Sequence, residues 1–319
     1  MKKSLVLLLA VSMFLTVSLI SIAETSYELY FDLQEGAVYN IDMVTNTHMS
    51  QNIFGQSVDM DQVMTVKYLY SIEEITSDNI YIIEMKFLDM ENLYTEFDVS
   101  GPEDIDLESL NEELDYFNDI LIDQTIQMHM DRYGNVIDVK GFDDYMMEMY
   151  LYLLENEEDP EALLAFQNFT GQFNDEVIKQ SFQGYNSFMP DKAVSIGETW
   201  MSNIELALEF PIVLETKYTL ENVTDDEFII SYEGSMDDFS DLMSMFGLDE
   251  LGMDFVFDFD TTYTGVVHLD RDTRWYNSME MKMVMDGRMI MIVPLDDAGN
   301  TQEIIIPMNT NSEFTLISY

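Results

Sequence analysis

Two short stretches carry the same polar residues in the same order: "HMDR" at His129–Arg132 and "HLDR" at His268–Arg271. Brought together in space, His129, His268, Asp131 and Asp270 would form a set able to hold a metal ion or move a proton. Each histidine, however, falls on the polar positions of an alternating segment beside a turn, where a solvated strand-end residue is the plainer account. With 3 histidines and no cysteine in 319 residues, a transition-metal centre is not expected, nor is any cofactor. Among 62 Asp and Glu residues, close carboxylate pairs arise by chance everywhere, so they do not mark a glycosidase. Calcium takes carboxylate ligands, but "DDFSDLMSMFGLDE" (237–250) lacks the ligand spacing and the glycine of an EF-hand loop. Gly-x-Ser-x-Gly, the phosphate-binding loop, His-Glu-x-x-His and the dinucleotide fingerprint are all missing. The chain does not read as an enzyme.

Methionine is the remaining chemical oddity, at 26 residues. Its flexible, polarizable side chain suits both irregular cores and adaptable binding surfaces. Met279, Met281, Met283 and Met285 alternate along one segment, Phe257 and Phe259 along the one before it, and Met60 and Met64 along an early one. These eight residues are the candidate lining of an apolar ligand site. A core packed with methionine in place of leucine uses the same pattern, and both readings stay open.

The elements that would position these residues follow from periodicity. From Val58 to Ile72 the even positions are mostly apolar and the odd ones mostly polar, the signature of a strand with one buried face. At ~3.3 Å per residue that strand runs roughly 50 Å, which calls for a large twisted antiparallel sheet. Phe255 to Leu269 and Met279 to Met285 repeat the alternation. The period changes to helical over Phe142–Leu154, with Tyr145, Met146, Met149 and Leu153 on one side. Asp159-Pro160 then opens a second helix carrying Phe166, Phe169, Phe173 and Val177, and a shorter helix covers Leu107–Leu121. The expected class is α+β: long antiparallel strands in a curved sheet or half-barrel, with helices on the apolar face.

Three pairs of segments recur in order. "EGAVY" (35–39) is echoed by "IGETW" (196–200), "VKYLYSIEEITSDNIYII" (66–83) by "TKYTLENVTDDEFII" (216–230), and "IQMHMDRYGNV" (126–136) by "GVVHLDRDTRW" (265–275). An internal duplication is expected, giving a β-rich half at 24–140, a helical insertion at 141–190 and a second β-rich half at 191–319.

Residues 1–23 read as a secretory leader: Lys2 and Lys3, an apolar run from Leu5 to Ile20, then Ser21-Ile22-Ala23 before a cleavage point at Glu24. An uncleaved anchor is the alternative, since the run approaches the ~18 residues that span a bilayer. Either way the folded part lies outside the cytoplasm, periplasmic or secreted. Loss of Lys2 and Lys3 takes the net charge from −49 to −51. Such a surface repels nucleic acid and anionic membrane. The partner classes left are an apolar ligand or lipidated partner, or an envelope protein met by a surface-acting structural module, with calcium in attendance. Oligomeric state is not legible.

Leu33, Gly36 and Tyr39 form a Leu-x-x-Gly-x-x-Tyr start, and Pro190, Lys192, Val194, Gly197, Glu198, Thr199 and Trp200 form a Pro-x-Lys-x-Val-x-x-Gly-Asp/Glu-Thr-Trp segment. With Asp270 and Thr273 of a late Asp-x-x-Thr-Gly hairpin, the chain resembles an uncharacterised family of exported bacterial proteins, a domain of unknown function. Arg274 stands where that hairpin has glycine. The resemblance implies no activity.

The acidic excess predicts a protein that melts higher in molar NaCl than in low salt, because the Debye length falls to ~3 Å at 1 M and self-repulsion fades. A flat or falling melting temperature would contradict a saline habitat and leave the acidity as a trait of the lineage.

Overall fold

The computed structural model describes residues 25–53, 56–99, 122–156, 175–186, 188–207, 211–236, 254–294 and 301–319. The leader, the helix expected at 107–121, the EF-hand-like stretch at 237–250 and the helix expected from Asp159 as far as 174 lie outside these residues. So do the side chains of Met149, Leu153, Val177 and Phe255.

Among the described residues thirteen strands and two helices follow one another. They are β1 (Ser26–Tyr27), β2 (Val38–Ile53), β3 (Gln56–Ile75), β4 (Ile80–Val99), β5 (Thr125–Asp131), β6 (Val136–Lys140), α1 (Phe142–Asn156), α2 (Asp175–Asn186), β7 (Val194–Ser195), β8 (Thr199–Ala207), β9 (Pro211–Val223), β10 (Glu227–Met236), β11 (Asp254–Asp270), β12 (Tyr276–Pro294) and β13 (Thr301–Ser318). The described chain is therefore mostly β, with fewer helices than an α+β class implies. Apart from the short β1–β7 pair, all strands join one antiparallel sheet of 11, in the order β6-β5-β4-β3-β2-β13-β12-β11-β10-β9-β8. The C-terminal β13 pairs with β2 on one side and β12 on the other, uniting both halves of the chain. The long early strand extends past its expected ends, to 20 residues.

The sheet is open, since β6 and β8 do not pair, yet it cannot be flat. Ten spacings of ~4.8 Å would hold the edges ~48 Å apart. α2 packs against both edge strands, and a 12-residue helix is only ~18 Å long and ~10 Å wide. The sheet must curl until its edges share that helix. Gln183 of α2 accepts a hydrogen bond from the Val136 amide at 2.6 Å, and Trp200 at the start of β8 donates its indole N–H to the Phe188 carbonyl at 2.7 Å. α2 spans the two edges, and its Ile178 and Phe182 pack against the core. Its N-terminus is capped reciprocally with that of α1. Asp175 accepts from the Phe142 and Asp143 amides, and Asp143 accepts from the Asp175 amide, so each helix dipole meets the other's carboxylate.

One end of the curl is closed by the segment after β1. Leu29, Phe31 and Leu33 are buried. The Phe31 amide donates to the Arg132 carbonyl and the Asp32 amide to the Thr273 carbonyl, each at 2.8 Å. The first acceptor lies in the β5–β6 turn, the second in the β11–β12 turn. The Tyr81 hydroxyl donates to the Phe31 carbonyl at 2.7 Å. Around the Phe31 ring stand Phe188, Trp275 and Tyr276, so one side chain touches the helical connection and the second half together.

Matching details recur in the two halves. Gly36 and Gly197 take φ of 80° and 83°, and their amides donate to the Ile72 and Leu220 carbonyls. The β5–β6 register shifts between His129 and Met130, and the β11–β12 register between His268 and Leu269. Arg274, standing where the resembled hairpin has glycine, adopts φ 55°, the left-handed conformation that Gly134 takes at φ 87° in the other turn. The strand register also revises the segment match. Tyr39 pairs with Tyr70 and Trp200 with Tyr218, while Ile72 meets Ile83 and Leu220 meets Ile230. By these pairings Tyr70 matches Tyr218 in position, whereas Lys67 and Lys217, aligned by sequence, are two positions out of step.

Phe31→Ala should lower unfolding free energy by about 3–5 kcal/mol in urea titrations, because a fully buried ring is removed between elements that cannot all collapse onto the gap. A loss under about 1 kcal/mol would show that this segment does not hold the end shut.

Candidate functional site

The sheet has two faces of opposite character, and the strand registers assign every residue to one of them. The inner face continues from the buried end and collects Met43 and Met49 of β2, Met60 and Met64 of β3, Phe257 and Phe259 of β11, and Met279 through Met285 of β12 at alternate positions. All eight candidate residues lie on it. Met279 is buried in the core, and Met281 packs against that core. Met60, Met64, Phe257, Phe259, Met281, Met283 and Met285 are half-buried, whereas Val256, Asp258, Asp260, Lys282, Val284 and Asp286 between them are exposed. Met60 faces Met49 directly, and Phe257 and Phe259 stack with centroids 6.0 Å apart. The structure brings the eight onto one continuous surface without gathering them at one point: Met60 and Met285 stand in the same cross-strand row, with Met49 and Thr310 between them.

Charge is absent from this surface. Among the described residues of β2, β3, β4, β10, β11, β12 and β13, the registers put no Asp, Glu, Lys or Arg on the inner face. The outer face takes them all. Four of its cations are matched to carboxylates directly across a strand pair: Lys67 with Asp89 at 2.5 Å, Lys217 with Glu233 at 2.6 Å, Lys282 with Glu313 at 2.6 Å and Arg288 with Asp258 at 2.8 Å. Exposed pairs of this kind are weak, because solvent screens them. They leave most carboxylates without a cation, and Asp260 even faces Asp286.

Curvature on the inner face is bought by glycine. A Cβ on Gly234 would lie 2.3 Å from the Tyr263 ring, and one on Gly265 would lie 2.3 Å from the Tyr232 ring. These four residues form two reciprocal pairs across β10 and β11, each ring lying flat over its neighbour's glycine. Gly287 gives Phe259 the same room. The Tyr263 hydroxyl is bonded to Thr216 Oγ1 at 2.6 Å. Nearer the closed end, burial pushes the phenols of Tyr70, Tyr218 and Tyr276 well above their ordinary range, so they remain neutral donors.

A belt of hydroxyls interrupts the methionines partway along the face. Thr47 and Ser312 bond to each other at 3.1 Å. Thr261, Met285 and Thr310 share the next row, with the two threonines buried.

His129 and His268 are not brought together. They lie in separate strand pairs on the outer face, His129 beside Gln127 and His268 beside Glu227 at 3.1 Å. Asp131 and Asp270 serve their turns instead. Asp131 accepts from the Tyr133 and Asn135 amides. Asp270 is pushed up by burial, but its bonds from the Thr273 amide and hydroxyl and from the Asp272 amide outweigh that, and its carboxyl ends below the usual range. Among the described residues no group of three or more His, Cys, Asp or Glu side chains could hold a metal ion.

Sequence reading missed the cationic surroundings of the N-terminal segment. Arg132 stacks 3.5 Å from the Tyr30 ring centroid, Arg274 stands over the same ring, and Arg271 lies over Phe228 and Tyr27. A cleft of about 100 Å³ opens there beside Tyr30, Arg132 and Lys192. The repeated Asp-Arg dipeptide was the available signal.

The structure therefore defines a curled, open antiparallel β-sheet protein with a charge-free inner face. Residues 78–276 match DUF6263, a family of unknown function, and the chain belongs to that family. The matched span takes in Pro190–Trp200 and Asp270–Arg274 and begins after Leu33, Gly36 and Tyr39. No curated protein matches the chain. Among solved structures, an outer membrane channel from Pseudomonas putida F1 is similar over 93% of this chain and 100% of that one, with 7% identity and a TM-score of 0.23. A likeness at that score carries no argument. No helix among the described residues is long and apolar enough to cross a membrane, which says nothing of spanning by strands.

Proposed function

We propose that this is an exported, non-enzymatic binding protein that holds an apolar ligand, or the acyl chain of a lipidated partner, against the inner face of a half-barrel. The observation that carries the reading is the charge-free, methionine-lined surface in a chain where 24% of residues are charged. Half-burial of Met283, Met285, Phe257 and Phe259 leaves apolar area for a ligand to cover, at roughly 25 cal/mol per Å². Methionine adapts that area to more than one ligand shape. The leader-like residues 1–23 support export. The half-barrel is read as two related five-strand units, β2–β6 and β8–β12. Their matched glycines, bulges and Asp-led turns support a duplication, with β13 as the bridge between them.

A second reading has its own observation. Asp260 opposite Asp286, within an outer face of unmatched carboxylates, favours a structural or assembly module of the envelope that works by its surface with calcium or a protein partner.

Organic extraction of the purified mature protein, followed by mass spectrometry, separates the two. The binding reading expects co-purifying lipid in near-stoichiometric amount, released on unfolding. An empty extract, together with calorimetric heat on adding calcium, would replace it with the second.

A further inference from the structure

We infer that the ligand is a neutral lipid, a long chain bearing an uncharged ester or alcohol group that hydrogen-bonds to Thr261 and Thr310 on the inner face. The inference rests on the binding reading and narrows it to a chemical class. Thr261 is 1% exposed and Thr310 8%, and neither hydroxyl has a hydrogen-bond partner. Thr47 and Ser312, one row away, satisfy each other, so the unmatched pair stands out on the same belt. A buried hydroxyl without a partner is costly to keep, and valine would fill the same volume without that cost. Strand register aims both side chains at the face that carries the methionines, on either side of Met285.

Charge selects among lipids that could use these hydroxyls. The inner face of the described strands offers no cation to meet a carboxylate or phosphate, and the chain as a whole carries −49. An anionic headgroup placed at the belt would be desolvated without a counter-charge and repelled by the outer face. A pure hydrocarbon would leave both hydroxyls unmatched. An ester or alcohol accepts their protons and brings no charge, with its chain running along Met283, Met285, Phe257 and Phe259.

Fluorescence titration of the mature protein tests this with three probes: cis-parinaric acid, its methyl ester, and diphenylhexatriene as a hydrocarbon without a polar group. At neutral pH the ester should bind at least about tenfold more tightly than the acid. The double variant Thr261→Val, Thr310→Val, which keeps side-chain volume, should bind the ester about tenfold more weakly and diphenylhexatriene as well as before. Equal affinity for acid and ester overturns the neutral-lipid class. Unchanged ester binding by the double variant overturns the role of the hydroxyls. Failure to bind any probe, diphenylhexatriene included, overturns the binding reading on which the inference rests.

Discussion

The structure depends on keeping charge to one side of a sheet. A chain with 62 acidic and 13 basic side chains has few ways to fold, because every buried carboxylate needs a partner that the composition cannot supply. Alternation along strands of up to 20 residues solves this locally, and where the β3–β4 register shifts at Ile72/Glu74 the consecutive acids Glu73 and Glu74 are both exposed. A one-residue slip in any pairing would turn carboxylates onto the methionines, so the same segregation that makes the fold possible also fixes its register. Without cysteine, no disulfide shares the task.

Segregation alone would give a sheet with a wide apolar face open to water. Curling brings that face against itself, and particular residues make the curl. Gly234 and Gly265 admit the Tyr263 and Tyr232 rings across β10 and β11, Gly287 admits Phe259, and α2 spans the two edges. Phe31 then joins the β5–β6 turn, the β11–β12 turn and Phe188 into one closed end. Away from that end the inner face passes from buried aromatics to half-buried methionines, which the hydroxyl belt interrupts, and then to Phe259 and Phe257. Packing at the closed end supports the fold, and the half-buried stretch is the place we propose for a ligand.

Much of this was legible because period-two alternation is a local signal. The strands around Val58–Ile72, Phe255–Leu269 and Met279–Met285 and the shared face of the eight candidate residues follow from counting positions. What local pattern cannot carry is which strands meet. That β13 lies between β2 and β12 depends on the two ends of the chain pairing, and nothing in either strand announces the other. The plug at Leu29–Leu33 was passed over because its apolar residues alternate too briefly to be read as an element. The glycine–tyrosine pairs are contacts between strands, invisible along either one. Arg274 departs from glycine, the usual left-handed residue, yet hydrogen bonds around Asp270 hold it in that conformation. The segment match set Lys67 against Lys217 on residue identity alone, two positions away from the alignment in which Tyr39 meets Tyr70 and Trp200 meets Tyr218.

The central claim is that adjacent residues of β12 face opposite environments, and one pair of substitutions tests it most directly. Met283→Lys and Val284→Lys place the same charge one residue apart, on the inner and the outer face. In urea titrations the account predicts a loss of about 3 kcal/mol or more for Met283→Lys, and a change within about 0.5 kcal/mol, or a gain, for Val284→Lys on the acidic exterior. Equal losses at the two positions, or a larger one at Val284, would contradict it.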